Sequence, residues 1–315
     1  MIFIDMMTPV GHVRLNRFYL SHVWCKGDVL VTGEKLQGAF AEYSVRLVPD
    51  FRKGILNRAI VAIMLLRQLA KLPDRKVCFL SYDLLFMPLV VFCLSILGKT
   101  IFVFEHNTAP TTRAKRIFQK LMGRRVRHFV YAPHISRVFS ELQLNYVTIS
   151  HPILLGAVGG ASGAGELDLI REKASRCQSI VFAPSGTSNP EDIAQFAAQH
   201  LDKFFVVKTA VSMGAENIFC ASRFEDYIEI MHKCDFVYIP FSRVDKVSGP
   251  FFEAIGLNKR IILTRDAFGI YGKTEFPDLV RFADEGFDCF SEGARIDVDQ
   301  FNGDIVRKLS VELHQ

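Results

Sequence analysis

The chain has 315 residues, half of them hydrophobic, and a formal net charge of +5, a length that suits two domains of ordinary size. Seven cysteines are scattered along it without any Cys-x-x-Cys pair, which argues against a disulfide framework and a structural zinc site and suits a reducing compartment. No basic stretch followed by a long apolar core opens the chain, so we predict no signal peptide and a cytoplasmic location.

The charge is unevenly distributed. Residues 1–152 carry 21 Lys and Arg against 9 Asp and Glu, a net of +12, whereas residues 153–315 carry 17 against 24, a net of −7. This asymmetry predicts that the first half faces an anionic partner, either a membrane surface or nucleic acid. The alternative is a basic face without a partner.

Strand and helix patterns alternate through the first half of the chain, which predicts βαβ units and a parallel sheet. Predicted strands cover residues 2–5, 28–32, 45–48, 77–80, 101–104, 129–131 and 146–149, and predicted helices cover residues 13–24 and 54–71. Residues 84–97 are almost entirely apolar, but a membrane span needs about twenty residues. We interpret this segment as a buried core helix, and membrane contact is the alternative.

Residues 156–165 hold five glycines and three alanines, a composition typical of a flexible connector. They predict an N-terminal domain at 1–155, a linker at 156–166 and a C-terminal domain at 167–315. The alternation then continues, with predicted strands at 179–183, 204–207, 218–220, 235–239 and 260–263 and predicted helices at 190–200, 224–233 and 298–313.

The segment at residues 245–255, D-K-V-S-G-P-F-F-E-A-I, follows a predicted buried strand. Gly249 and Pro250 are expected to open a helix, with Ser248 as its N-cap. The backbone N–H groups of such a helix start form an anion site, and phosphate is its commonest ligand. Asp245 lies in the loop before this site, and Glu253 lies one turn inside the helix. This spacing suits a sugar nucleotide, which carries a phosphate in its middle and hydroxyls at both ends.

The segment resembles the signature of retaining GT-B glycosyltransferases of family 4, also called group 1. That signature is Glu, seven residues and Glu, with a Gly-rich turn, a Pro, and an Ala after the second Glu. Pro250, Glu253 and Ala254 match it, Gly249 lies one place late in the turn, and Asp245 replaces the first Glu. The resemblance implies an α/β fold of two Rossmann-like parallel-sheet domains facing a central cleft. It implies a nucleotide diphosphate sugar as donor, with no cofactor and no metal.

The resemblance also implies roles for individual residues. Glu253 would hold the ribose hydroxyls, Asp245 the hydroxyls of the donor sugar, and the helix start at 248–250 the leaving phosphate. His106 follows a predicted strand, where the family commonly has a His that contacts the donor sugar. The alternative for His106 is that it only satisfies backbone groups at a turn. Gly11 and His12 lie where the family has a Gly-rich loop at the donor phosphate or the acceptor, although only one Gly is present.

The loop at residues 183–189 departs from the family pattern. Family members often carry an Arg and a Lys there to clamp the diphosphate, and this loop has no basic residue. Ser185 could still bind phosphate, and Lys208 could supply the missing charge; Arg243 and Lys246 are further candidates. No G-x-G-x-x-G fingerprint lies in a suitable place, which argues against a dehydrogenase.

Two other patterns concern metal binding and membrane contact. Asp297 and Asp299 form a D-x-D sequence of the kind that holds a divalent metal in other glycosyltransferases, but they precede a predicted helix, where acids suit the dipole. We therefore predict no metal. Seven basic residues crowd the segment 113–127 together with apolar Ile117, Phe118, Leu121 and Met122. Five of the seven form a candidate membrane or acceptor patch: Arg113, Arg116, Lys120, Arg124 and Arg125. The alternative is a solvated helix that packs its apolar residues inward.

These patterns predict a glycosyltransferase that moves a sugar from a nucleotide diphosphate sugar to a glycan or lipid-linked acceptor. It would act in the cytoplasm, peripherally on the inner face of the membrane, without nucleic acid as a partner. One alternative is a nucleotide-sugar epimerase of the same architecture. Another is a GT-B protein that has lost catalysis and only binds, which the uncharged loop 183–189 would favour.

Overall fold

The computed structural model of the chain describes residues 1–6, 12–50, 54–106, 109–154, 164–184, 189–240, 246–287, 290–291 and 293–314. They divide into two compact units, Met1–His151 with Gly303–Gln315, and Pro152–Asn302. The predicted C-terminal domain ran to residue 315, whereas the chain from Gly303 onward groups with the first unit. Of the predicted linker, residues 164–166 already belong to a helix, and residues 156–163 lie outside the described ranges.

The first unit is built on a sheet of seven parallel strands in the order β3-β2-β1-β4-β5-β6-β7. Its elements in chain order are β1 (Ile2–Asp5), α1 (Val13–Val23), β2 (Val29–Gly33), β3 (Val45–Val48), α2 (Ile55–Ala70), β4 (Lys76–Ser81), α3 (Met87–Ile96), β5 (Thr100–Glu105), α4 (Arg113–Met122), β6 (Val126–Val130), α5 (Pro133–Glu141) and β7 (Asn145–Thr148).

The second unit is built on a sheet of six parallel strands in the order β10-β9-β8-β11-β12-β13. Its elements are α6 (Ala164–Ala174), β8 (Ser179–Ala183), α7 (Pro190–Ala198), β9 (Lys203–Lys208), β10 (Ile218–Ala221), α8 (Tyr227–Lys233), β11 (Phe236–Ile239), α9 (Gly249–Gly256), β12 (Arg260–Leu263), α10 (Ala267–Glu275) and β13 (Val280–Phe282). The last helix, α11 (Val298–His314), begins in this unit and ends in the first.

The strands are apolar on both faces because helices cover both sides of each sheet. In β1, for example, Ile2 and Ile4 join a core cluster with α2 and α3, while Phe3 between them points to the opposite face, and all three are fully buried. The predicted strands all lie at strands of the structure, although β6 starts three residues earlier than the predicted strand. The alternation of strands and helices therefore predicted the architecture correctly.

The prediction of a buried core helix at residues 84–97 holds for one side of the helix only. The helix α3 buries Val90, Val91 and Leu94 against the sheet. On its other side, however, Leu89, Phe92 and Ile96 are exposed to 52, 53 and 71%. A helix that is apolar all round is normally buried on all sides, so this outer face is unusual for a globular protein.

The interpretation of the D-x-D sequence as a helix start is confirmed. Asp297 precedes α11, and its carboxylate accepts a hydrogen bond from the backbone N–H of Gln300 at 2.9 Å. Within the described ranges, no three His, Cys, Asp or Glu side chains are grouped so that they could hold a metal ion. None of the helices in those ranges combines the length and apolar character that crossing a membrane requires.

Candidate functional site

The strand order of each sheet reverses at one point, and ligands of open α/β sheets bind beside the carboxyl ends of the strands at such a point. In the first sheet the reversal lies between β1 and β4, and in the second between β8 and β11. Two predicted site residues, Ser185 and Asp245, follow β8 and β11 respectively. Both lie outside the described residues, as does Gly11, which follows β1.

The helix α9 follows β11 and begins as the sequence predicted. Ser248 occupies the N-cap position with an extended backbone, and Gly249 and Pro250 are the first two helical residues. The Ser248 side chain is buried, but it makes no capping hydrogen bond to the helix, contrary to the expectation for an N-cap serine. Pro250 has no N–H, and the Phe251 N–H donates to the Ser248 carbonyl at 3.2 Å, so Gly249 supplies the backbone N–H of this helix start that can serve an anion at this sheet edge.

Glu253, Tyr227 and Lys208 form a cluster at the same edge of the second sheet. The Tyr227 hydroxyl donates a hydrogen bond to Oε2 of Glu253 at 3.2 Å. The Lys208 ammonium nitrogen lies 5.1 Å from the centre of the Tyr227 ring, in a cation–π contact. Lys208 ends β9, Tyr227 begins α8 and Glu253 lies one turn inside α9, so three separate elements bring a cation, a phenol and a carboxylate together.

The protonation of Tyr227 defines what this cluster can do. Burial raises the pKa of the phenol, and the charge of Glu253 and the hydrogen bond to it raise the pKa further. The phenol therefore remains a donor at neutral pH and orients the Glu253 carboxylate, whose remaining lone pairs can accept hydrogen bonds from hydroxyls. Tyr227 was missed by sequence reasoning, because nothing in a predicted helix at 224–233 indicates which side chain meets Glu253.

A cavity of about 380 Å³ opens beyond the carboxyl ends of β9 and β10, lined by residues 209–215 and 218–222. None of these lining residues carries a charged side chain. A diphosphate would therefore find no counter-charge inside it, and the nearest cations along the chain, Lys208 and Arg223, lie one residue before and one residue after the lining segments. The start of α9 remains the better anion site in this unit.

Histidine side chains gather at the carboxyl edge of the first sheet. His12 precedes α1, His106 follows β5 and His151 lies beyond β7. The ring centres of His12 and His106 are 4.9 Å apart, and Tyr131 lies 5.3 Å from His106 and 5.5 Å from His151. The sequence predicted His12 and His106 as site residues, and the structure places them in ring contact. The sequence-based prediction missed Tyr131 and His151 as site residues, although they follow strands in the same way as His106.

His106 is held neutral. Burial lowers its pKa to about 3, and the neighbouring His12 and His151 lower it as well, whereas a hydrogen bond with the Leu80 backbone acts in the opposite direction. The Nε2 atom of His106 is buried and has no hydrogen-bond partner among the described residues. A buried, neutral imidazole with an unused nitrogen can donate or accept a hydrogen bond from a ligand at this edge.

A buried hydrogen-bond network fixes the residue before His106. The Glu105 carboxylate accepts bonds from the Tyr82 hydroxyl at 2.8 and 2.9 Å, and its Oε1 lies 2.7 Å from Nδ1 of His128. Gln119 of α4 donates to the Tyr82 hydroxyl at 3.0 Å. Glu105, Gln119 and His128 are all buried, so the end of β5 is tied to β6 and α4 without contact with solvent.

A second buried carboxylate organises the end of β1. Asp5 accepts hydrogen bonds from Asn16 of α1 at 2.8 Å and from the Ser81 hydroxyl at the end of β4 at 2.6 Å. The pairing of β1 with β4 shifts its register between Ile4 and Asp5. Asp5 thus connects the two strands that flank the reversal of strand order to the helix that follows His12.

The predicted basic patch lies on and just beyond α4, and its five residues, Arg113, Arg116, Lys120, Arg124 and Arg125, are all exposed. The apolar residues of the segment divide between two faces. Met122 is buried, but Ile117 and Leu121 are exposed to 58 and 65%. The alternative in which the whole apolar stripe packs inward therefore does not hold.

Two units, each with a parallel sheet, alternating helices and polar residues at the strand ends, give the chain the GT-B fold of glycosyltransferases and related nucleotide-sugar proteins. HepE of Anabaena, solved with UDP and glucose, aligns with a TM-score of 0.69 and 12% identity over 98% of this chain and 99% of HepE. A glycosyltransferase of Rickettsia africae aligns with a TM-score of 0.61 and 12% identity over 99 and 93%. The complex of S. aureus MnaA with UDP aligns with a TM-score of 0.53 and 12% identity over 98 and 87%. No protein-family profile and no curated protein sequence matches the chain.

Proposed function

We propose that the protein is a glycosyltransferase that moves a sugar from a nucleotide diphosphate sugar to a glycan or lipid-linked acceptor, with retention of the anomeric configuration. The observation that carries the proposal is the cluster of Lys208, Tyr227 and Glu253 beside the start of α9. A helix start for a phosphate and an oriented carboxylate one turn inside it suit the two ends of a nucleoside diphosphate. HepE and MnaA have UDP bound in the same fold, so UDP is the natural first probe.

In this proposal Glu253 accepts hydrogen bonds from the ribose hydroxyls, and Tyr227 keeps its carboxylate in place. Ser248, Gly249 and Pro250 form the helix start that faces the diphosphate, and Lys208 adds a positive charge. As the bond between sugar and diphosphate breaks, negative charge grows on the leaving phosphate, and fixed N–H dipoles stabilise that charge most in the transition state. Asp245 and Ser185 keep the roles that the sequence predicts, contacts to the sugar hydroxyls and to phosphate.

In this proposal, residues of the first unit contact the donor sugar and the acceptor. His106 stays neutral at physiological pH, so it offers a hydrogen bond rather than a charge. Gly11 and His12 precede α1 and would approach the donor phosphate or the acceptor. The scheme needs no protein nucleophile, because the leaving phosphate itself can take the proton of the acceptor hydroxyl. It also assigns no step to a metal or a cofactor.

The acceptor arm of the proposal rests on charge. The basic residues Arg113, Arg116, Lys120, Arg124 and Arg125 are exposed together, and each contributes about 1 kcal/mol of attraction near an anionic membrane surface. The protein would then work peripherally on the inner face of the membrane.

The proposal is tested by binding and by turnover. A thermal-shift screen of nucleoside diphosphates and their sugar conjugates identifies the donor, because a ligand that binds only the folded state raises the melting temperature. Turnover is then followed as acceptor-dependent release of the nucleoside diphosphate, and NMR of the product gives its anomeric configuration.

Three results would contradict all or part of the proposal. An inverted anomer in the product would contradict only the retaining mechanism. Conversion of the nucleotide sugar to an epimer without any acceptor would favour the epimerase alternative, and a structure from Listeria monocytogenes assigned to the UDP-N-acetylglucosamine 2-epimerases shares the fold with a TM-score of 0.52. Binding of nucleotide sugars without either reaction would identify a protein that only binds.

A further inference from the structure

The helix α3 has an outer face that ordinary globular packing does not explain. Its ten residues, M-P-L-V-V-F-C-L-S-I, include no charged side chain. Its inner face packs on the sheet, and its outer face presents Leu89, Phe92 and Ile96 to the surroundings. Water-facing positions of a surface helix normally carry polar residues, so this face is built for something other than water.

The neighbouring helices extend this face on both sides. α3 packs beside α2 and beside α4. The first turn of α2 is tied to the start of α3 by an ion pair of 2.9 Å between Arg58 and the buried Asp83. α2 and α4 also turn apolar side chains outward, and together with α3 they form what we name the outer apolar face: Leu56, Ile60, Ile63, Leu89, Phe92, Ile96, Ile117 and Leu121.

The outer apolar face gathers exposed large apolar side chains on three neighbouring helices. Each of its eight side chains is exposed by about half or more, whereas exposed apolar residues of a monomer are usually scattered singly. Exposed apolar residues that are gathered in this way mark contacts with proteins or membranes.

The charges around the outer apolar face have one sign. The sequences of α2, α3 and α4 contain no Asp or Glu at all. On α4, Arg113, Ile117 and Leu121 follow each other at four-residue steps, Arg116 and Lys120 form the adjacent row, and Arg124 lies just beyond the end of the helix. Arg67 is exposed on α2. A surface that is apolar in the middle and exclusively basic at its margin complements an anionic phospholipid surface, where apolar side chains enter the acyl boundary and basic ones meet the headgroups.

We propose that the outer apolar face is the surface by which this protein docks on an anionic membrane, through shallow insertion of α2 and α3 and headgroup contacts of α4. A second copy of the chain fits this face less well. A symmetric dimer through it would bring two basic margins together, and the three helices offer no acidic partner for them. The docking surface stands on the first unit alone. Combined with the proposed glycosyl transfer, on which this step rests, it favours a lipid-linked acceptor over a soluble glycan.

The test is flotation of the full-length protein with phosphatidylcholine vesicles that contain graded amounts of phosphatidylglycerol. The wild-type protein should float only with anionic vesicles, and added salt should weaken its binding because the headgroup attraction is screened. A variant with Phe92→Ser and Ile96→Ser should bind roughly tenfold or more weakly, because it loses two of the inserting side chains. A variant with Lys120→Glu and Arg124→Glu should lose the preference for anionic lipid. Leu201→Ser is the matched control, since Leu201 is 72% exposed in the second unit and should leave flotation unchanged.

Two outcomes overturn the docking proposal. One is flotation that is absent or that ignores lipid charge and both variants. The other is a wild-type dimer in analytical ultracentrifugation that the Phe92→Ser, Ile96→Ser variant converts to monomer. The thermal shift with UDP is measured on the same samples. A retained shift shows that the variants are folded. Flotation without any UDP shift in the wild type would contradict the proposed donor while leaving the docking surface intact, and a UDP shift without flotation would do the reverse.

Discussion

Glu253→Gln is the substitution that examines the proposed donor site most directly, because it removes the charge but keeps the shape of the side chain. A hydrogen bond to a charged group contributes about 1.5–3 kcal/mol. Glu253 is only partly buried, and the Tyr227 hydroxyl already occupies Oε2 at 3.2 Å. We therefore expect the lower part of that range, about 1.5–2 kcal/mol, which weakens UDP binding roughly 10- to 30-fold.

The assay is isothermal titration calorimetry with UDP and with 2′,3′-dideoxy-UDP, on the wild type and on the variant. If Glu253 accepts bonds from the ribose, the wild type should prefer UDP over the dideoxy analogue, and Glu253→Gln should remove most of that preference. Combining Glu253→Gln with the removal of the ribose hydroxyls forms a double-mutant cycle that isolates the contact between them. An indirect effect of the substitution would weaken the binding of UDP and of the dideoxy analogue equally. Glu172→Gln, at an exposed carboxylate of α6, controls for the loss of one negative charge in the same unit.

The contact between Glu253 and the ribose is refuted if the wild type binds both nucleotides with equal affinity, or if Glu253→Gln weakens the binding of both by the same factor. Tyr227→Phe provides the matching partner. It removes the hydroxyl but keeps the ring, so the contacts with Lys208 and Phe182 remain. We expect it to weaken UDP binding less than Glu253→Gln does, and a larger loss would show that the Tyr227 hydroxyl rather than the carboxylate governs the site.

Three further predictions concern the first unit and the packing of the second. His106→Asn should abolish sugar transfer while UDP still binds. The pKa of His106 in the folded protein, about 3, lies below the usual 6.5, so the unfolded chain binds more protons between these two pH values. Stability therefore falls as the pH drops from 6.5 toward 3, by up to about 1.4 kcal/mol per pH unit from this residue. His106→Asn should flatten that slope in urea titrations. Tyr82→Phe should lower the free energy of unfolding by about 1–3 kcal/mol, measured in urea, because it deprives the buried Glu105 of one of its hydrogen-bond donors; an unchanged midpoint would contradict the network. Gly269→Ala would drive its Cβ into a backbone carbonyl oxygen and should destabilise the protein, whereas Gly303→Ala, with open space around its Cβ inside α11, should stabilise it by up to about 1 kcal/mol in the same assay.

The sequence predicted the architecture because parallel strands are buried on both faces and leave short apolar runs. The strand β5, for example, is bounded by Lys99 and His106 and stands out from its surroundings. The start of α9 was predicted for a similar reason, since Gly249 and Pro250 are local signals that need no partner elsewhere in the chain. The expectation of a capping hydrogen bond from Ser248 was wrong, because the rotamer of an N-cap hydroxyl depends on the side chains and backbone that surround it.

The site residues that were missed depend on contacts between distant segments. Tyr227 contacts Glu253 across 26 residues of chain, and the His151 ring packs on Tyr131, which in turn contacts His106. No spacing rule connects such positions, because the fold rather than the helix period brings them together. A rule that every polar residue just beyond a strand is a candidate would have found Tyr131 and His151, at the expense of many false candidates.

The error on α3 has a physical cause that bears on function. An apolar run predicts that a segment avoids water, but it does not say what replaces the water. Inside the first unit the sheet covers only one face of α3, and α2 and α4 cover its flanks. The remaining face exposes Phe92 and Ile96, an arrangement that lowers solubility and that a charged substitution would easily relieve. Such a face is consistent with a second environment in which it is covered. The absence of any acid from α2, α3 and α4 argues that this environment is negatively charged, which is why membrane docking and the search for a lipid-linked acceptor should be pursued together.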